Sequence, residues 1–131
     1  MKFVSGAELP EVLLPPVDAE KMKTMAALLA DPNPIHWDLT VVRDLGMGDR
    51  PVNQGPNNMA YVVNAVAGWS GGPDRLRSLR VRFSGNVFAG DRLVVRGRVA
   101  EVREKEADVE VWLTRSEDEV VLSGTATVSV D

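Results

Sequence analysis

The chain has 131 residues, 44% of them hydrophobic and 26% charged, with 15 basic residues against 19 acidic and a net charge of -4. That length suits one domain, expected over residues 1–131, and the apolar fraction is enough to offset the entropy of ordering a backbone. Absence of cysteine excludes disulfides, zinc–thiolate sites and thiol catalysis, the acidic balance argues against a nucleic-acid partner, and no apolar run reaches the length of about 18 residues that a membrane helix needs.

The N-terminus, Met1 to Gly6, lacks the apolar stretch of a signal peptide, so a soluble, cytoplasmic protein is expected. Leu9 to Pro16, bracketed by prolines, reads as a short edge strand. Asp18 is a suitable N-cap for a helix over Ala19 to Ala30, with Met22, Met25, Ala26 and Leu29 forming one apolar stripe. The run Asp31-Pro32-Asn33-Pro34 ends that helix, because proline lacks an amide donor and restricts its predecessor. A short helical piece from Leu39 to Leu45 stops at Gly46 and Gly48. Gly55 and Pro56 open a longer helix to about Trp69, in which Met59, Val62, Val63 and Val66 share a face. Small residues opposite, Ala60, Ala67 and Gly68, predict a helix surrounded on all sides.

Beyond Ser70-Gly71-Gly72-Pro73-Asp74 the period changes to two. Leu79, Val81 and Phe83 alternate with Arg80 and Arg82, and the same alternation recurs in Leu93 to Val99, Val109 to Leu113 and Leu122 to Val130. Gly85-Asn86, Gly90-Asp91 and Ser116-Glu117-Asp118 supply turns. Four consecutive strands after a buried helix predict an α+β protein with an antiparallel sheet.

His36 is the only histidine, and it follows Asp31 by five positions across a proline-stiffened turn. A carboxylate and an imidazole sharing one small volume can activate a water; the same residues also serve as ordinary turn formers and helix caps. Gly55 stands at a helix N-terminus, where a free backbone N–H and the helix dipole can hold an anion or a developing oxyanion, or where glycine merely fits a tight entry.

Together these features resemble a known pattern. Asp31-Pro32-Asn33-Pro34-Ile35-His36 is similar to the D-x-N-P-x-H signature of the MaoC-like, R-specific enoyl-CoA hydratase family. Arg50-Pro51-Val52-Asn53-Gln54-Gly55 resembles that family's lead into its central helix, and Phe83 to Asp91 its strand connection ending in Gly-Asp. The resemblance implies the hot-dog fold, an antiparallel sheet curled around one apolar helix. It implies Asp31 and His36 as a catalytic dyad for a water, Asn33 as the residue shaping the turn at the substrate, and Gly55 as the amide that polarises a thioester carbonyl. The implied reaction is reversible hydration of a trans-2-enoyl thioester to an (R)-3-hydroxyacyl thioester. It uses no cofactor and no metal; coenzyme A enters as part of the substrate. A homodimer or higher oligomer is implied, with a heteromeric hydratase as the alternative.

The chain departs from the family pattern at Leu29-Ala30, where Ser or Gly often precedes the Asp, at Ala60, often Ser or Thr, and at Asn57 and Asn58, usually apolar. Asn58 or Tyr61 is the candidate for a compensating polar contact to substrate, and Trp37 for a wall of the acyl pocket. Arg75, Arg77, Arg80 and Arg82 are either a solvated face or a phosphate contact for coenzyme A. A hot-dog acyl-CoA thioesterase is the competing chemistry.

Overall fold

The proline-bracketed segment does form an edge strand, but a short one. In the computed structural model, which describes residues 2–130 (Glu117 by its backbone), β1 (Val12–Leu13) pairs antiparallel with Val94 and Val95. Met1 and Asp131, the ends of the expected domain, lie outside the described residues. Leu9 N–H and Leu14 N–H also bond to this neighbour, at Gly97 (2.9 Å) and Leu93 (3.0 Å), but Pro10, Pro15 and Pro16 cannot donate and so interrupt the ladder.

Helix α1 (Ala19–Leu29) begins where the Asp18 side chain accepts from Glu20 N–H at 2.8 Å. Only Met22 and Ala26 of its expected stripe are buried; Leu29 is 46% exposed, because the last turn projects past the core. The helix closes through Ala30 in the left-handed conformation (φ 51°), with the Ala30 N–H directed at the Ala26 and Ala27 carbonyls. A residue with a Cβ costs about 1–2 kcal/mol there, a penalty glycine escapes. Ala30→Gly should therefore raise stability by about 1 kcal/mol, seen as a melting temperature a few degrees higher; an unchanged or lower value would show that the cap is relaxed.

After a 3-10 turn at Pro34–His36, Asp38 caps α2 (Leu39–Asp44) through Thr40 N–H at 2.9 Å. Helix α3 (Gly55–Ser70) carries Val62 and Val66, both fully buried. It is not surrounded on all sides, as its composition suggested: Pro56, Ala60, Asn64 and Gly68 form an exposed line at spacing four. Ala60 and Gly68, small enough for close contact, are exposed, and no described element covers them.

Strands β2 (Leu76–Phe83), β3 (Val94–Val102), β4 (Glu106–Arg115) and β5 (Glu119–Ser129) complete one antiparallel sheet in the order β1-β3-β4-β5-β2. Alternation puts Val95, Val99, Val109, Val111, Leu113, Leu122, Ala126 and Val128 on the face that packs on α3 and Met22. Gly124 permits the β2–β5 pairing, since a Cβ there would collide with the backbone of Arg80. Arg77 has the parity of Leu79 and Val81, but a register shift between Leu76 and Ser78 leaves it exposed, as Arg80 and Arg82 are. Phe83 shares the parity of Leu79 and Val81 but is 50% exposed; as the last residue of an edge strand it leans over α3 rather than into the core.

Candidate active site

Two consecutive Asx turns shape the first part of the site. The Asp31 Oδ1 accepts from Asn33 N–H at 3.0 Å, and the Asn33 Oδ1 accepts from Ile35 N–H at 3.2 Å. The folded-back chain brings Asp31 Oδ2 to 3.2 Å from His36 Nε2. Asn33 itself is exposed, its side-chain oxygen spent on the cap.

His36 is 6% exposed, and its Nδ1 lies 2.6 Å from the Val52 carbonyl oxygen. A carbonyl only accepts, so Nδ1 must carry a hydrogen. Nε2 then faces the carboxylate either as a lone pair or with a second hydrogen, and that second hydrogen is the one a reaction can move. Val52 N–H returns a bond to the Ile35 carbonyl at 2.9 Å, so the two strips of chain hold each other in register. Sequence reading picked out the dyad but not this carbonyl, whose signal lay only in the Arg50–Gly55 resemblance.

Val52 in turn is fixed from behind. Asn53 N–H donates to Val87 O (2.7 Å) and Ala89 N–H to Pro51 O (3.0 Å). Asp91, buried at 6% exposure, accepts from Arg50 (2.9 Å), Arg115 (3.0 Å) and Phe88 N–H (2.9 Å). The Arg50 and Arg115 guanidinium groups each lie 5.3 Å from the centre of the Phe88 ring.

Three residues after Val52, Gly55 starts α3. Its φ is not positive, so the glycine is not there for a left-handed turn. A Cβ on Gly55 would stand 3.4 Å from the Phe83 ring, an ordinary contact. The first-turn amides of Asn57 and Asn58 bond back to the Gln54 carbonyl at 3.1 and 3.2 Å, whereas nothing among the described residues accepts from the Gly55 N–H. That is the free donor a developing oxyanion requires.

Trp37 is 39% exposed and lines an open hollow of about 520 Å³ with Asp31, Lys23, Ala26 and Ala27. A separate apolar cavity of about 350 Å³ lies toward β1, lined among others by Leu9, Leu14, Tyr61, Val66, Trp69 and Val95; neither dyad residue borders it. Asn58, 3% exposed, and Tyr61 meet at Asn53, whose Nδ2 donates to Asn58 Oδ1 (2.8 Å) and Tyr61 Oη (3.1 Å). Arg80 and Arg82 are exposed on β2 and make no ion pair among the described residues. Arg77 donates to the Asp74 carbonyl at 2.7 Å. Among the described residues no group of three or more His, Cys, Asp or Glu side chains could hold a metal ion, and no helix is long and apolar enough to cross a membrane.

Residues 8–121 match the model of the MaoC-like domain, a span that contains the dyad turn, α3 and the sheet through β4. The chain belongs to the MaoC-like dehydratase family. This MaoC-like domain has the hot-dog fold expected of it, as its solved neighbours show. The (R)-hydratase from A. caviae involved in PHA biosynthesis superposes with a TM-score of 0.86 at 21% identity, covering 98% of this chain and 97% of the other. A chain of the ChsH1–ChsH2 complex from Mycobacterium tuberculosis gives 0.84 at 23% identity, over 98% of both. A chain of the HadBC (3R-hydroxyacyl-ACP dehydratase) complex from Mycobacterium tuberculosis gives 0.76 at 18%, over 95% and 96%. No curated protein matches the MaoC-like chain in sequence.

Proposed function

We propose that the protein hydrates trans-2-enoyl thioesters of coenzyme A to (R)-3-hydroxyacyl thioesters, and runs the reverse dehydration, with no cofactor and no metal. One observation carries the reading: Asp31 Oδ2 and His36 Nε2 stand 3.2 Å apart, with the other imidazole nitrogen already committed to Val52. A water that hydrogen-bonds to both groups gives up a proton to the dyad as its oxygen attacks the β-carbon. The same dyad then returns a proton to the α-carbon, so both additions occur on one face. Attack at the β-carbon moves negative charge onto the thioester oxygen, where the unpaired Gly55 N–H and the α3 dipole stabilise it. Asn33 holds the dyad turn, Trp37 walls the hollow beside Asp31, and Asn58 and Tyr61 contact the acyl group.

The activity is tested with crotonyl- and octenoyl-CoA, following loss of the conjugated thioester absorbance and release of free coenzyme A together. Loss of conjugation without hydrolysis is expected; free coenzyme A with conjugation intact would establish the thioesterase reading instead.

Gly55→Ala separates the oxyanion role from a packing role. The site has room for the methyl group and no positive φ to strain, so the melting temperature should stay near that of the wild type. The amide itself remains, but the methyl group would crowd the thioester oxygen as it approaches the Gly55 N–H. Turnover should therefore fall, by up to the roughly 10²–10³-fold that loss of one oxyanion donor costs. A lower melting temperature with unchanged turnover per folded molecule would remove Gly55 from the site.

We also propose a cytoplasmic protein that is at least dimeric, as a homo-oligomer or with a related partner. Strand β2 ends the sheet, and its eight residues, Leu76–Phe83, leave one side unpaired beside Gly55 and Phe83. Sedimentation should give a species of twice the chain mass or more. A stable, active monomer would overturn the assembly.

A further inference from the structure

The side-chain amides at the base of α3 form a chain of hydrogen bonds whose direction is fixed at one end. Gln54 Nε2 lies 2.8 Å from the Met22 carbonyl oxygen, and a carbonyl can only accept, so that atom is the nitrogen. Gln54 Oε1 then accepts, which makes the Asn57 atom 2.9 Å away its Nδ2. Asn57 Nδ2 also lies 2.9 Å from Asn53, so the Asn53 atom there is its oxygen. The Asn53 nitrogen must therefore donate at the far end, to Asn58 Oδ1 and to Tyr61 Oη. No flip of any one amide is possible without setting two donors or two acceptors against each other.

Both terminal groups are thus acceptors toward the protein, which leaves both Asn58 Nδ2 hydrogens and the Tyr61 hydroxyl hydrogen without a protein acceptor. Among the described residues no sealed side-chain nitrogen or oxygen lacks a partner, so Asn58 Nδ2 lies at an accessible surface although its residue is only 3% exposed. Tyr61 borders the apolar cavity of about 350 Å³, whose other walls include Leu9, Leu14, Val66 and Trp69. Tyr61, a donor at the edge of an apolar cavity, with Asn58 joined to it through Asn53, selects a ligand with a hydrocarbon body and one acceptor oxygen. Hydrocarbon alone would displace water from these donors and give nothing back.

At Tyr61 that oxygen is a different one from the thioester oxygen. Gly55 faces Phe83 of β2, while Tyr61 borders Leu14, Pro15 and Leu93 beside β1, and β1 and β2 are opposite edges of the sheet. We propose that Asn58 and Tyr61 bind a keto or hydroxyl oxygen carried on the acyl chain beyond the reacting carbons, so that the preferred substrates are oxygenated acyl thioesters. The proposal rests on the acyl-thioester reading above, but its test needs no turnover.

The test measures binding, by calorimetry, of saturated acyl-CoA thioesters of one chain length, either plain or with a keto oxygen at successive positions past the third carbon. At one position the keto compound should bind the wild type about tenfold more tightly than the plain chain, the scale of one well-made hydrogen bond. Tyr61→Phe keeps the ring and removes one donor; Asn58→Leu restores the apolar character common at that helix position. Each should reduce the preference, read as the ratio of keto to plain affinity within the same variant, severalfold. Equal binding of plain and keto thioesters to the wild type, at every position, overturns the proposal. So does a preference that survives both substitutions in variants with wild-type melting temperatures. Hydration of crotonyl-CoA, measured alongside, reports on the dyad chemistry separately: its absence sinks the hydratase reading and leaves the binding result standing.

Discussion

Asp31→Asn should lower hydration of a good enoyl-CoA substrate by about 10²–10⁴-fold, the range general acid/base groups supply, with the fold intact. The variant is close to ideal in shape. An asparagine keeps an oxygen for the Asn33 N–H, so the turn that carries His36 is preserved. Its amide nitrogen would then face His36 Nε2 in place of the carboxylate, donating a hydrogen to the lone pair that should take one from water. His36→Ala should cost a similar factor but is less clean, since it leaves the Val52 carbonyl without its donor in a buried place. If the two groups act as one unit, the double variant should be no worse than the poorer single one. Wild-type turnover in a correctly folded Asp31→Asn protein would end the dyad assignment.

Much of this fold could be read from local signals. Asp18, Pro56 and the glycines at 46 and 71 mark helix ends because capping and left-handed turns depend on single residues. The shift from period four to period two after Ser70 marks the sheet for the same reason: one face of each strand is buried. What the pattern could not give is which face of α3 lies bare, since Ala and Gly suit close packing and open solvent equally well. Phe83 shows the limit of alternation at an edge strand, where correct parity does not guarantee a neighbour. At the site, Asp31 and His36 stood out because their spacing is short and proline-fixed. The Val52 carbonyl and the Asn53–Gln54 pair did not; Asn57 and Asn58 were visible as polar residues at usually apolar positions, but not the network that joins all four amides. Backbone acceptors carry no residue type to read, and an amide network is recognised only once its partners are in place.

Asp91→Ala should destabilise the fold by about 1.5–3 kcal/mol, the scale of hydrogen bonds to a charged group. It removes the buried carboxylate shared by Arg115, Arg50 and the Phe88 N–H, although Arg115 keeps its pair with Glu119 at 2.9 Å. Arg115, its side chain 19% exposed, loses two hydrogen bonds to the carboxylate, and the Arg50 tether to the loop before α3 goes with it. Burial pushes the Asp91 carboxyl upward, but hydrogen bonds from Arg115, the Phe88 N–H and Arg50 outweigh it and hold the group below the usual carboxylate range. A depressed folded value means that this contribution is complete above the unfolded value of about 3.9 and fades as pH falls through the folded one. Asp108, held down to about 2 by Arg103 and then by Thr127, fades in the same direction but is untouched by the substitution. The stability gap between wild type and Asp91→Asn, measured by thermal or denaturant unfolding, should therefore be constant from neutral pH to about pH 5 and narrow below about pH 4. A pH-independent gap would assign the loss to packing instead of charge. Because Asp91 fixes the Arg50–Val52 loop whose carbonyl orients His36, the same variant should also lose turnover at temperatures where it remains fully folded.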